Sequence, residues 1–229
     1  MRELIAIGIG SFGVNITDSM VQGMAEEHHF TGDAAFKTES VNGSYPHIFF
    51  DEYQSGKVTG RALLMDSDSM SINNVRAASG SNLYGLDNYF CGDTSMGSLY
   101  VKGRFGVGSE LVNASLDKVR KLVERCDALQ GFIVSYGLGG GTGSGMGACL
   151  LEKLKEEYVR NDLVTPILFP HKDSKSTVLE IYNAVLGMHT SIENADLALP
   201  YDMPAVNRYI NRNFSLATPN LEDSNYLIG

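Results

Sequence analysis

The residues best suited to chemistry form one stretch, Gly137-Leu138-Gly139-Gly140-Gly141-Thr142-Gly143-Ser144-Gly145. An apolar run, Gly131-Phe132-Ile133-Val134-Ser135, precedes it and reads as a short buried strand. Met146-Gly147-Ala148-Cys149-Leu150-Leu151-Glu152-Lys153-Leu154 follows and reads as a helix. Strand, glycine loop and helix together point backbone N–H groups along the positive end of a helix, where a phosphate binds well. Thr142 and Ser144 add hydroxyl donors. A plain flexible turn is the competing explanation. Glycine inside an element costs about 0.5–1 kcal/mol against alanine, so six glycines in nine residues are expensive unless a ligand needs the space. No Lys follows the glycines, so this is not the G-x-x-x-x-G-K-[ST] loop.

Three further stretches could contribute. Gly8, Gly10 and Gly13 follow the apolar run Leu4-Ile5-Ala6-Ile7 and satisfy G-x-G-x-x-G. A dinucleotide site also needs an acid at the tip of the next strand about 20 residues on, and Asp33 sits instead in a Thr31-Gly32-Asp33 turn. Arg61-Ala62-Leu63-Leu64-Met65-Asp66 reads as a buried strand with Asp66 and Asp68 at its tip. Those acids suit a helix cap, made by Asp66 or Ser69, or a Mg²⁺ ion that takes few protein oxygens. Cys91-Gly92-Asp93-Thr94-Ser95-Met96-Gly97-Ser98 is another small-residue turn, which a surface loop would explain equally well.

Gly139–Gly145 reads GGGTGSG, which resembles the signature of the tubulin/FtsZ GTPase family. Met1–Ile7, Cys126–Phe132, Glu156–Tyr158 and Ile192–Asp196 are similar to eukaryotic tubulin in the same order, nearest the β type but divergent. The resemblance implies GTP or GDP with Mg²⁺, held at the junction of successive subunits. Gly10, Ser11 and Phe12 would lie near phosphate and base, and Gly97 and Ser98 would form the third phosphate loop. Gly137, Gly139, Gly140, Gly141, Thr142, Gly143 and Ser144 would cradle the phosphates, and Asp68 would stand near the metal. Glu180 would meet the ribose, with the loop 171–176 beside it. Met203, Leu221 and Asn225 would face the base, where an Asn amide offers guanine a donor and an acceptor.

The resemblance has gaps. Ser11 stands for a Gln, Phe12 for a Cys, Gly137 for a Ser or Ala, Met203 for an Asn and Leu221 for an aromatic residue. An intact phosphate cradle with reduced guanine affinity or selectivity is therefore expected. The resemblance also implies a single nucleotide domain over residues 1–229, ending at the start of the family's central helix, without the intermediate and C-terminal domains. No catalytic residue is expected in this chain, because a neighbouring subunit would complete hydrolysis.

The 229 residues are 43% hydrophobic and 20% charged, a profile that supports one sizeable core. A net charge of −9 argues against nucleic acid as a partner. No apolar run approaches the ~18 residues needed to cross a bilayer, and no secretory signal is expected. Three cysteines without metal spacing suit reduced thiols, and five scattered His residues make no zinc pattern. By resemblance the partners are other tubulin subunits, in the cytoplasm and the microtubule cytoskeleton.

Apolar runs alternate with helical periodicity, as in Leu111, Val112, Leu116, Val119, Leu122 and Val123. The predicted fold is α/β, Rossmann-like, with a mostly parallel sheet between helices and the ligand at the C-terminal strand edge. Ile48-Phe49-Phe50 is expected as a strand in a long loop over 29–60, and helices are expected from Thr177 to His189 and from Ala205 to Phe214. Two other functions fit parts of the pattern. One is a non-catalytic tubulin-like protein with a degraded pocket that binds or caps tubulin. The other is a Rossmann oxidoreductase, which leaves the second glycine loop unexplained.

Overall fold

The structure is a computed structural model that describes residues 2–28, 45–52, 57–171, 178–214, 216 and 219–229. Its frame is a six-stranded sheet in the order β5-β4-β1-β6-β7-β8, with every neighbouring pair parallel. The strands are β1 (Glu3–Ile9), β4 (Ala62–Asp66), β5 (Tyr89–Cys91), β6 (Leu129–Gly137), β7 (Asp162–Leu168) and β8 (Leu197–Tyr201). A separate antiparallel pair joins β2 (Phe50–Glu52) to β3 (Val58–Gly60). Ile48 itself closes a short 3₁₀ turn that opens at Pro46, so the strand expected at Ile48 starts only at Phe50. Proline fixes φ and removes a donor, which suits the first position of such a turn rather than a ladder.

Helices cover both faces. They are α1 (Gly10–Glu27), α2 (Met70–Ala77), α3 (Tyr100–Phe105), α4 (Val107–Glu124), α5 (Gly147–Glu157), α6 (Val178–Asn194), α7 (Met203–Phe214) and α8 (Leu221–Ile228). The two-residue period of the strands divides the core. Ile5, Ile7 and Ile9 of β1 turn to one face and meet Leu116 and Val119 of α4 and Leu150 and Leu154 of α5. Ala6 turns to the other face, with Val14 and Val21 of α1 and Ile72 and Val75 of α2.

The chain runs outward from β1 through β4 to β5, then returns to β6 beside β1 and runs outward again to β8. The order therefore reverses between β1 and β6. In open parallel sheets the crevice beyond the strand ends at such a reversal binds the ligand. The glycine motifs of Gly8–Gly13 and Gly137–Gly145 lie at the C-terminal ends of β1 and β6, so fold and sequence select the same place. α6 is described from Val178; Thr177, where the helix is expected to start, and residues 172–176 of the expected ribose loop lie outside the described residues.

Candidate nucleotide site

Three loops, those after β1, β5 and β6, meet at this reversal. They line a cavity of about 560 Å³ together with the segment after β7 and the starts of α2 and α7. That volume suits a small organic ligand. Ser95 and Gly97 come from the loop after β5; Gly137, Gly139, Gly140, Thr142 and Gly143 come from the loop after β6. Gly10, Ser11 and Phe12 open α1 on the same wall.

The backbone geometry explains the glycines. Gly10 has φ +70° and Gly97 φ +56°, left-handed angles that cost other residues about 1–2 kcal/mol. A Cβ on Gly143 would run into the Gly137 carbonyl, so only glycine lets this turn close on the end of β6. The helix begins earlier than expected: Thr142–Met146 already winds as one wide π-type turn before α5. Such turns recur at functional sites. The Gly141 N–H donates to the Gly97 carbonyl at 3.0 Å and ties two loops together.

Two carboxylates stand at the same cavity. Asp66, at the tip of β4, is 4% exposed. Burial pushes its carboxyl above the usual range, opposed in part by hydrogen bonds from Ser71 and the Ser67 N–H. A buried carboxylate of this kind gains from a nearby cation. Asp68 accepts from the Met70 N–H, the first of α2, at 3.0 Å, while Ser69 holds the N-cap position without a side-chain bond. It also lines the cavity. One or two carboxylates, completed by water and phosphate oxygens, fit Mg²⁺. No cluster of three or more His, Cys, Asp or Glu occurs among the described residues. Ser67 Oγ and Thr142 Oγ1 lie 2.7 Å apart and connect the β4 tip to the glycine turn.

The remainder of the cavity has a different character. Phe12, Leu168, Phe169, Pro170 and Met203 line it, with Ser11, His171 and Glu180 as its polar side chains. A Cβ on Gly137 would lie 3.5 Å from Phe12 Cβ and 3.9 Å from its Cγ, so the ring stands over the space a larger residue would take.

Five expected site residues lie outside the lining. Ser144 is fully buried, and its hydroxyl donates to the Gly140 carbonyl at 2.6 Å. That makes it a brace of the turn rather than a free donor. Gly141 packs against Leu99 and Gly97, and the Ser98 carbonyl accepts from Asn183 Nδ2. Leu221 is 73% exposed. Asn225 lines a neighbouring groove between α1, α2 and α8, with Asn15, Asp18 and Tyr226. Asn183, buried under the loops, was not legible as a site residue: it reads as one polar position in a helical run. Its place one turn after Glu180 was the available signal.

The model of the Tubulin/FtsZ family, GTPase domain, matches residues 3–211. The chain belongs to this family. It is a tubulin-like GTPase-domain protein, and GTP and GDP are the nucleotides of the family. The match covers every strand of the six-stranded sheet, and the cavity lining falls within it. Among the described residues no helix is long and apolar enough to cross a membrane.

Proposed function

We propose that the chain is the nucleotide-binding part of a divergent, β-like tubulin subunit. GTP would place its phosphates on the loops after β1, β5 and β6 and its nucleoside toward Phe12, Glu180 and Met203. Mg²⁺, near Asp68 and Asp66, would neutralise phosphate charge when bound. Hydrolysis would be coupled to assembly and completed by a neighbouring tubulin subunit, within microtubules of the cytoplasm. The observation that carries this reading is the convergence of three glycine-bearing loops and two carboxylates on one cavity at the sheet reversal.

A second reading, a non-catalytic tubulin-like protein that binds or caps tubulin, is favoured by Phe12 and Met203. Neither side chain can exchange hydrogen bonds with a base edge.

The test is nucleotide content. The chain is purified without added nucleotide, denatured, and the supernatant resolved by ion exchange. Near-stoichiometric GTP or GDP is expected. A chain that is empty, retains the circular dichroism of an α/β fold and fails to bind added GTP with Mg²⁺ would overturn the first reading and leave the second.

A further inference from the structure

We infer that Asn183 is a positioning residue that aims a phosphate-binding N–H of the glycine loop, an inference that rests on the nucleotide reading above. Asn183 sits on α6, is 3% exposed and does not line the cavity. Its side chain bonds three backbone groups. Oδ1 accepts from the Tyr100 N–H at 3.2 Å. Nδ2 donates to the Ser98 carbonyl at 2.9 Å and to the Gly139 carbonyl at 2.9 Å. One amide thereby uses both donors and an acceptor on two loops. Ser98 and Tyr100 follow Gly97 of the loop after β5, and Gly139 opens the glycine run after β6.

The consequence follows from peptide geometry. In a planar trans peptide the carbonyl and the following N–H point in opposite directions. Holding the Gly139 carbonyl on Asn183 therefore turns the Gly140 N–H the other way. Gly140 lines the cavity that Asn183 does not reach. Glycine peptides rotate easily, so an unheld Gly139–Gly140 peptide would sample both orientations. The bond from the Gly141 N–H to the Gly97 carbonyl pins the loops one peptide further on and leaves this one free. Asn183 supplies the missing restraint.

The test compares wild type with Asn183→Asp, of the same size, and Asn183→Leu. Aspartate keeps the acceptor for Tyr100 and presents no donor to Gly139 or Ser98. Leaving buried carbonyls unpaired should weaken GTP and inorganic tripolyphosphate alike by roughly ten- to a hundredfold. Amide NMR supplies the readout that general destabilisation would not give. In wild type, tripolyphosphate should shift the Gly140 amide; in Asn183→Asp it should shift Gly143 but leave Gly140 unmoved. Wild-type binding with unchanged affinity in both variants would overturn the role of Asn183 and leave the nucleotide reading intact. Should the variants not fold, wild type alone decides: a Gly140 amide that ignores bound tripolyphosphate overturns the inference. Failure of wild type to bind either GTP or tripolyphosphate overturns the nucleotide reading itself, and Asn183 with it.

Discussion

The cavity wall is built from two different materials. One is backbone: Gly97, Gly139, Gly140 and Gly143, supported from behind by Asn183 and Ser144, where the proposed reading puts phosphate. The other is side chains: Phe12, Phe169, Met203 and Glu180, where the proposed reading puts the nucleoside. A backbone site depends on angles and clearances that few residues allow. A side-chain site can change its chemistry by one substitution without altering the fold. On the proposed reading, the nucleoside contacts can therefore vary while the phosphate loops keep their form.

Breaking the backbone end should give the largest effect. In Gly143→Ala, the new methyl would clash with the Gly137 carbonyl. Backbone cannot move aside as the tip of a flexible side chain can, and overpacking costs about 1–3 kcal/mol. The turn should open, and GTP affinity should fall by about a hundredfold, read by fluorescence of a labelled nucleotide. Unchanged affinity would mean that this turn is not part of the phosphate site.

At the nucleoside end the expected effect is smaller and falls on selectivity. Met203→Asn restores a donor and an acceptor at the start of α7. A site that hydrogen-bonds its ligand rejects the wrong one because buried polar groups are then left unpaired. The ratio of GTP to ATP affinity should rise by about tenfold, the equivalent of one good hydrogen bond, with tripolyphosphate affinity unchanged. Competition titrations with the three ligands would measure it. Equal GTP and ATP affinities in the variant would place the base away from α7. A wild type that already separates GTP from ATP strongly would show that Phe12 and Met203 do not weaken recognition.

The same contrast decides what could be read from sequence. Strand, glycine loop and helix were legible because apolar runs and glycine clusters are local signals, and the ligand edge follows from placing each glycine loop after a strand; the strand order that reverses between β1 and β6 is set by tertiary pairing. The wide turn of Thr142–Met146 was not legible. It depends on contact with the end of β6 and on the Ser144 hydroxyl folding back to Gly140, both settled by tertiary packing. Asp68 shows the limit for caps: Asp66 and Ser69 were the two candidates, and it is Asp68 between them whose carboxylate takes the Met70 N–H. Asn183 was missed because its partners lie 83, 85 and 44 residues away. Leu221 and Asn225 are expected near the base only by resemblance, and neither lines this cavity.

The smallest change separates the two reasons a loop can hold glycine. Gly140 is exposed, has no atom within 4 Å of an added Cβ, and is not left-handed. The folded chain alone therefore gives no reason for glycine there. Alanine at a compatible position stabilises by about 0.4–1 kcal/mol, because it removes freedom from the unfolded chain. Gly140→Ala should thus hold or raise the midpoint of thermal unfolding. A phosphate that approaches the Gly140 N–H closely would meet the new methyl, so affinity for GTP and tripolyphosphate should fall by a few-fold. Stability and affinity would then move in opposite directions, which a merely structural glycine cannot produce. If both rise or both hold, the ligand does not touch Gly140, and the phosphate cradle must be centred on Gly143 and the wide turn that follows it.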